Sequence, residues 1–265
     1  MDLELEEKHI LITGGSKGIG LACAAGFLRE GARLTIVSRS QGHLNSALTS
    51  LQQIAPGGGQ RVAVVAADLT DAAAAVEALD RAEHSGGVVD ILINCAGAAR
   101  RTAPEDLTPQ AWHDAMQGKY FSYIHMIDPA IKRMAKRGQG VIINVIGNGG
   151  KVADPIHLAG GAANAALMLA SAGLAAAYAR NGVRVNAVNP GPTATERLKE
   201  RIATEAERSQ ITIEDALQAA SRRIPLGRIA EPEEIANAVL FLASARASYI
   251  TGAILAMDGA MTPMV

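Results

Sequence analysis

The run Thr13-Gly14-Gly15-Ser16-Lys17-Gly18-Ile19-Gly20 has the clearest chemical use in the chain. It falls where an apolar, β-branched stretch stops and a helical pattern begins. Glycine there lets the backbone turn sharply, and the free amides of a helix start attract negative oxygen. A pyrophosphate suits such a turn. The spacing excludes two other phosphate motifs: no Gly-Lys-Ser/Thr closes the run, and G-x-G-x-x-G fails because position 23 is cysteine. The same composition also serves a plain strand-to-helix connection, so its meaning depends on its surroundings. The next apolar run ends in Ser38-Arg39-Ser40, with no acid to accept a ribose 2′-hydroxyl. Arg39 can pair with a 2′-phosphate instead, and Lys17 lies on the same side. Solvated surface charge is the plain alternative for both. The pattern favours NADP(H), with NAD(H) second.

Positioning these groups takes a sheet. Short apolar runs recur at residues 9–13, 33–38, 62–66, 91–94, 141–146, 184–188 and 253–257. Such runs read as strands buried on both faces, and helical stretches at 20–30, 71–84, 109–137, 162–180 and 231–243 separate them. Alternation of this kind predicts a single-domain, Rossmann-type, doubly wound α/β fold: a parallel sheet of about seven strands with helices on both faces. Gly57-Gly58-Gly59 marks a surface loop, and polar residues 195–222 read as one or two helices on a mobile excursion. No fixed-period repeat is present.

The 265 residues suffice for one large core over 1–265. With a net charge of −1, the chain has no field to recruit nucleic acid or an anionic membrane. Cys23 and Cys95 stand far apart in apolar sequence, as reduced core thiols do, and no metal-ligand cluster stands out. The acidic start, residues 1–8, is unlike a signal peptide, so the expected compartment is the cytoplasm. Residues 158–179 approach the length of a membrane span, but they are mostly Ala and Gly with Asn164 and Ser171, and read as a helix packed inside protein.

The glycine turn resembles the T-G-x-x-x-G-x-G cofactor motif of the short-chain dehydrogenase/reductase family. Further likenesses follow in order: Asn94-Cys95-Ala96-Gly97 is similar to N-N-A-G, and Asp68, with Leu69 beside it, to the family's adenine-contacting aspartate. Asn189-Pro190-Gly191-Pro192-Thr193 resembles the segment lining the nicotinamide, and Pro225-Leu226-Gly227-Arg228 with Asp258-Gly259 the C-terminal signature. The resemblance spans nearly the whole chain. It implies dinucleotide contacts from Gly14, Ser16, Lys17, Gly18, Ile19, Gly20, Ser38, Arg39, Asp68, Leu69, Asn94, Ala96, Gly97, Pro190, Gly191 and Thr193. It also implies a homo-oligomer, a tetramer or dimer, packed through helices 109–137 and 162–180.

The likeness breaks at the chemistry. The family uses a Tyr-x-x-x-Lys pair, a serine thirteen residues before the tyrosine and an asparagine on the preceding helix. Here those positions hold Gly160, Asn164, Gly147 and Lys119. A register error is excluded, because four residues after Tyr120, Tyr123, Tyr178 and Tyr249 stand Ile124, Ile127, Gly182 and Ala253. No Ser, Thr or Tyr occurs between Gly140 and Ala165 either.

Asparagine and lysine have exchanged places, which suggests that Lys119 brings its ammonium into the pocket from the opposite helix. Glycine at 160 leaves a ring-sized void that substrate, water or a side chain must fill. His157, three residues before it, is the first replacement proton donor, and Tyr123, one turn beyond Lys119, the second. Against these stand a solvated helix lysine and a surface-loop histidine. The leading expectation is an NADP(H)-binding oxidoreductase acting on a small carbonyl or alcohol of unknown identity. Its rivals are a non-catalytic NADP(H)-binding sensor or assembly subunit, and a non-redox reaction around a held nucleotide.

Overall fold

The computed structural model describes residues 1–54, 61–97 and 99–263. The loop expected at Gly57-Gly58-Gly59 lies outside them, as does Ala98. Seven strands form one parallel sheet in the order β3-β2-β1-β4-β5-β6-β7: β1 His9–Thr13, β2 Arg33–Ser38, β3 Val62–Ala66, β4 Ile91–Asn94, β5 Gly140–Val145, β6 Val183–Pro190 and β7 Ile254–Met257. Each strand needs a crossover to reach its parallel neighbour, and helices supply it.

Period-two alternation sorts the strand side chains between two cores. Ile10, Ile12, Leu34, Ile36, Ile91 and Ile93 face one layer. It is built by α1 Gly18–Arg29, α2 Gln41–Ile54 and α9 Pro232–Ala243. Leu11, Val37, Leu92 and Ile142 face the other, which contains α3 Ala72–Gly86, α5 Ser122–Arg137 and α6 Leu158–Tyr178. α4 Pro109–Ala115 leads into α5, while α7 Glu196–Ser209 and α8 Ile213–Arg222 bury a small cluster of their own around Leu198, Ile202, Ala206 and Ala216. α6 is long and apolar enough to cross a membrane, but it packs on β6 and on the turn before α5.

The structure departs from the sequence reading in places. A helix, α2, fills residues 41–54, where none was assigned; its buried Leu44, Ala47 and Leu51 carry the helical spacing. The expected single helix over 109–137 is interrupted by a π-helical turn, Met116–Phe121. Of the two helix bounds read there, 158–179 and 162–180, α6 follows the first, running through Gly160 and Gly161. Cys23 and Cys95, distant in sequence, are neighbours in space as free thiols, and their contact together with burial raises the Cys23 pKa.

His9 shows how the first strand is secured. Its buried ring meets the Gly87 carbonyl through Nδ1 at 2.8 Å and the Thr35 hydroxyl through Nε2 at 2.9 Å. Gly87 can only accept, so Nδ1 carries the proton and Nε2 receives the hydroxyl's. Burial lowers the His9 pKa, most of all because a charged ring there is poorly solvated. The unfolded chain therefore binds more protons once pH falls below about 6.5, and stability declines with it. Thermal unfolding should show a lower melting temperature at pH 5.5 than at 7.5. His9→Gln should narrow that gap, and an unchanged gap would refute the assignment.

Candidate active site

All seven strands run the same way, so their carboxyl ends share one edge, and there the chain turns back over the sheet. At the end of β1, Gly14 and Gly18 adopt φ of +66° and +51°, which glycine alone adopts freely. A Cβ on Gly14 would lie 2.8 Å from the Ala96 nitrogen, and one on Gly20 only 2.2 Å from the Gly14 carbonyl oxygen. The turn is thus tight against both β4 and its own helix. Lys17 precedes α1 in extended conformation, leaving the first amides of α1, from Gly18 and Ile19 onward, free for an anion. Ser16 donates to Ser38 at 3.0 Å, tying the turn to the end of β2, where Arg39 is exposed. The Arg39 charge helps hold Asp68 below its ordinary pKa, after the larger effect of the Thr70 amide that Asp68 accepts at 3.0 Å.

Several of the expected contacts prove to be occupied within the protein. Asn94 accepts from Thr13 at 3.3 Å and donates to Asn144 at 3.0 Å, and Asn144 donates to Ser171 at 2.8 Å. This buried chain locks β1, β4, β5 and α6 together. The amides of Cys95 and Ala96 donate to the Thr13 hydroxyl, each at 3.2 Å. Leu69 is buried, with its carbonyl 3.1 Å from His125 Nδ1. Gly97, at φ +103°, is pressed on the π-helical turn; a Cβ there would lie 2.6 Å from the Gly118 carbonyl oxygen. After β6, Pro190 and Gly191 pass close to Asp258, and Thr193 donates back to the Gly191 carbonyl at 3.1 Å. Thr195, which sequence reasoning missed, is the residue facing the glycine turn: a Cβ on Gly18 would lie 3.0 Å from its methyl group. Its position directly before α7 was the available signal.

Lys119 projects from the π-helical turn and is buried. Its Nζ donates to the Tyr123 hydroxyl at 3.0 Å and to the Val145 carbonyl at 3.3 Å, and lies 4.6 Å from the centre of the Tyr123 ring. Burial brings its pKa down to about 7, with Cys95 opposing and Arg197 reinforcing the shift. Tyr123 is fully buried and its hydroxyl donates to the same Val145 carbonyl. Burial keeps that phenol protonated, and its oxygen is committed to holding Lys119.

No void remains beside Gly160. A Cβ there would fall 2.1 Å from His157 Cε1, so the imidazole of His157 occupies the space of the missing side chain. Its Nδ1 is buried with no hydrogen-bond partner among the described residues. Burial lowers the His157 pKa, and the charges of Arg101 and Lys119 add to this while Asp154 opposes it. Glycines make room around the ring: a Cβ on Gly149 would stand 3.1 Å from His157 Cδ2, and one on Gly147 3.5 Å from Asn164 Nδ2. Asn164 is buried, and its amide makes no hydrogen bond among the described residues. His157 and Asn164 thus stand together over the glycines that follow β5, and the charge of Lys119 bears on His157. No group of three or more metal-ligating side chains occurs among the described residues.

Comparison with known proteins supplies independent findings. Residues 14–262 match the family model described as enoyl-(acyl carrier protein) reductase. The 2-(S)-hydroxypropyl-CoM dehydrogenase 3 of Xanthobacter autotrophicus is 34% identical over 265 residues, covering 99% of both chains. The L-sorbose reductase of Gluconobacter frateurii, solved with NADPH and L-sorbose, superposes with a TM-score of 0.93 at 30% identity, over 100% of both chains. An NADPH-bound short chain oxidoreductase from Pseudomonas aeruginosa PAO1, described as containing an atypical catalytic center, is 31% identical with a TM-score of 0.88 over 98% of both chains.

Proposed function

Since the chain belongs to the short-chain dehydrogenase/reductase family, we propose that it is an NADP(H)-dependent oxidoreductase that moves hydride to or from a small carbonyl or alcohol through a non-standard proton-handling group. The observation that carries this reading is a buried Lys119 amine, held by Tyr123 and Val145 with a pKa of about 7, whose charge bears on the His157 ring. The bound nicotinamide would supply or accept the hydride. The glycine turn and the start of α1 hold the pyrophosphate, and Lys17, Ser38 and Arg39 select the phosphorylated ribose.

The protein's remaining task is one proton at the substrate oxygen. In reduction the Lys119 ammonium donates it, and in oxidation the neutral amine receives it. Tyr123 acts as a positioning residue, fixing Nζ against the Val145 carbonyl. His157 is the second proton carrier, and the Asn164 amide is free to hydrogen-bond the reacting oxygen.

The test is a calorimetric titration with NADPH and NADH, followed by a carbonyl and alcohol screen read at the nicotinamide absorbance. Uptake of NADPH in preference to NADH, with turnover of at least one carbonyl, is the expected result. Tight NADPH binding with silence across the screen marks a cofactor-binding sensor or assembly subunit instead. Product formed with no net absorbance change marks a non-redox reaction.

We also infer a homo-oligomer, dimer or tetramer, with neither nucleic acid nor membrane as partner. Trp112 and Phe121 are exposed beside α5, and α6 exposes Leu169 among Ala165, Gly173 and Ala176, a face flat enough for a second copy. A sedimenting monomer at micromolar concentration would overturn this. The free thiols Cys23 and Cys95 support a reducing, cytoplasmic setting.

A further inference from the structure

A half-open cavity of about 150 Å³ lies beside the end of β7. Ile224, Leu226, Ile235 and Met257 give it apolar walls, and Pro192, from the segment after β6, borders it. The backbone around it is tied together: the Gly191 amide donates to the Met257 carbonyl at 3.0 Å, and the Leu226 amide to the Gly259 carbonyl at 3.3 Å. Gly259 adopts φ of +62°, and a Cβ there would lie 2.5 Å from Ile224 Cγ2, so glycine is what lets this wall stand where it does.

Three charged residues line the cavity, and two of them cancel. Arg228 donates to both Glu234 carboxylate oxygens, each at 2.6 Å, and Glu234 also accepts the Glu231 amide at 2.8 Å. The third, Asp258, is 7% exposed, and its carboxylate takes part in no hydrogen bond or ion pair among the described residues; Oδ2 is sealed from water. A carboxylate that has shed its water and gained no donor is costly. Asp258 therefore leaves one uncompensated negative charge beside an apolar hollow.

That charge repels an anion. A divalent metal finds no group of three or more ligating side chains among the described residues, and the apolar walls supply none of the oxygens it requires. An organic cation meets both demands, because its charged end pairs with the carboxylate while its carbon body covers the walls. We propose that this cavity binds a small primary amine as its ammonium, with an apolar body about the size of a benzene ring. The site shares no residue with Lys119, His157 and Asn164, so it stands apart from the oxidoreductase reading.

The experiment titrates the full chain, with and without NADP⁺, with benzylamine, benzyl alcohol and methylamine. Calorimetry reads the uptake, together with the rise in melting temperature that a ligand of the folded state produces. Benzylamine should bind about tenfold or more tighter than benzyl alcohol, as one charge-assisted hydrogen bond provides, and tighter than methylamine, which lacks the body. Asp258→Asn, equal in size, should erase the preference over benzyl alcohol. No uptake of benzylamine, equal uptake of the alcohol or of methylamine, or a preference that survives Asp258→Asn overturns the proposal. Should Asp258→Asn fail to fold, crystals of the parent grown with benzylamine decide. An ammonium within hydrogen-bond distance of the Asp258 carboxylate supports the proposal, and the amine elsewhere or nowhere overturns it. If Asp258→Asn instead sediments as a smaller assembly than the parent, a cation from a second copy occupies the cavity and the proposal falls.

Discussion

Lys119→Met is expected to lose turnover by about two to four orders of magnitude, the usual contribution of a positioned acid or base, while binding NADPH almost as the parent does. Lys119→Ala should do the same. The reason lies in the surroundings of Nζ: two of its hydrogens are held by Tyr123 and Val145, and the third has no partner among the described residues. Groups facing it are the Tyr123 hydroxyl, the Cys95 thiol, Arg197 and His157. With a pKa of about 7, the ammonium that reduction requires disappears as pH rises through that value, and the amine that oxidation requires appears. Reduction should therefore fall, and oxidation rise, through about pH 7, and Lys119→Met should abolish that inflection. Full activity in either variant would end the assignment.

The same substitution should make the protein more stable. An unfolded lysine keeps its proton up to about pH 10.4, so between about 7 and that value the unfolded chain binds more protons than the folded one. Native stability climbs with pH over that window. Replacing the buried amine with a thioether of similar length removes the burden, and the melting temperature at pH 7 should increase. A merely structural lysine would show the reverse.

Gly20→Ala should abolish NADPH binding and lower stability by about 1–3 kcal/mol, the range for forcing an atom into filled space. Its new methyl would collide with the Gly14 carbonyl oxygen, which is backbone and cannot rotate away. Relief requires α1 to retreat from the turn, and with it the amides that meet the pyrophosphate. Calorimetry and thermal unfolding measure both effects. NADPH uptake at parental affinity would refute the close-approach account.

The strands were legible because burial on both faces writes itself as continuous Ile, Val and Leu, and all seven lie within about two residues of their expected ends. α2 escaped because it shows water a surface of Gln, Asn, Ser and Thr, leaving Leu44, Ala47 and Leu51 as its whole apolar signal. The π-helical turn was invisible because its winding answers a tertiary demand: Gly97 and Gly118 must lie in contact while Lys119 reaches Tyr123 and Val145. Gly160 and Gly161 are poor helix formers, and packing under the 147–150 loop carries α6 through them. The pairing of Lys119 with Tyr123 followed from helical spacing alone. That Tyr123 would be sealed from the pocket, and that Thr195 would reach the glycine turn, depended on contacts between segments far apart in the chain.

The seat of the His157 ring also makes positions 157 and 160 depend on one another. Any side chain added at 160 must turn the imidazole out, because its first carbon would stand 2.1 Å from Cε1 of that ring. A substitution at 160 should therefore cost less once His157 is trimmed to alanine, a dependence that a double-mutant cycle would register as non-additivity.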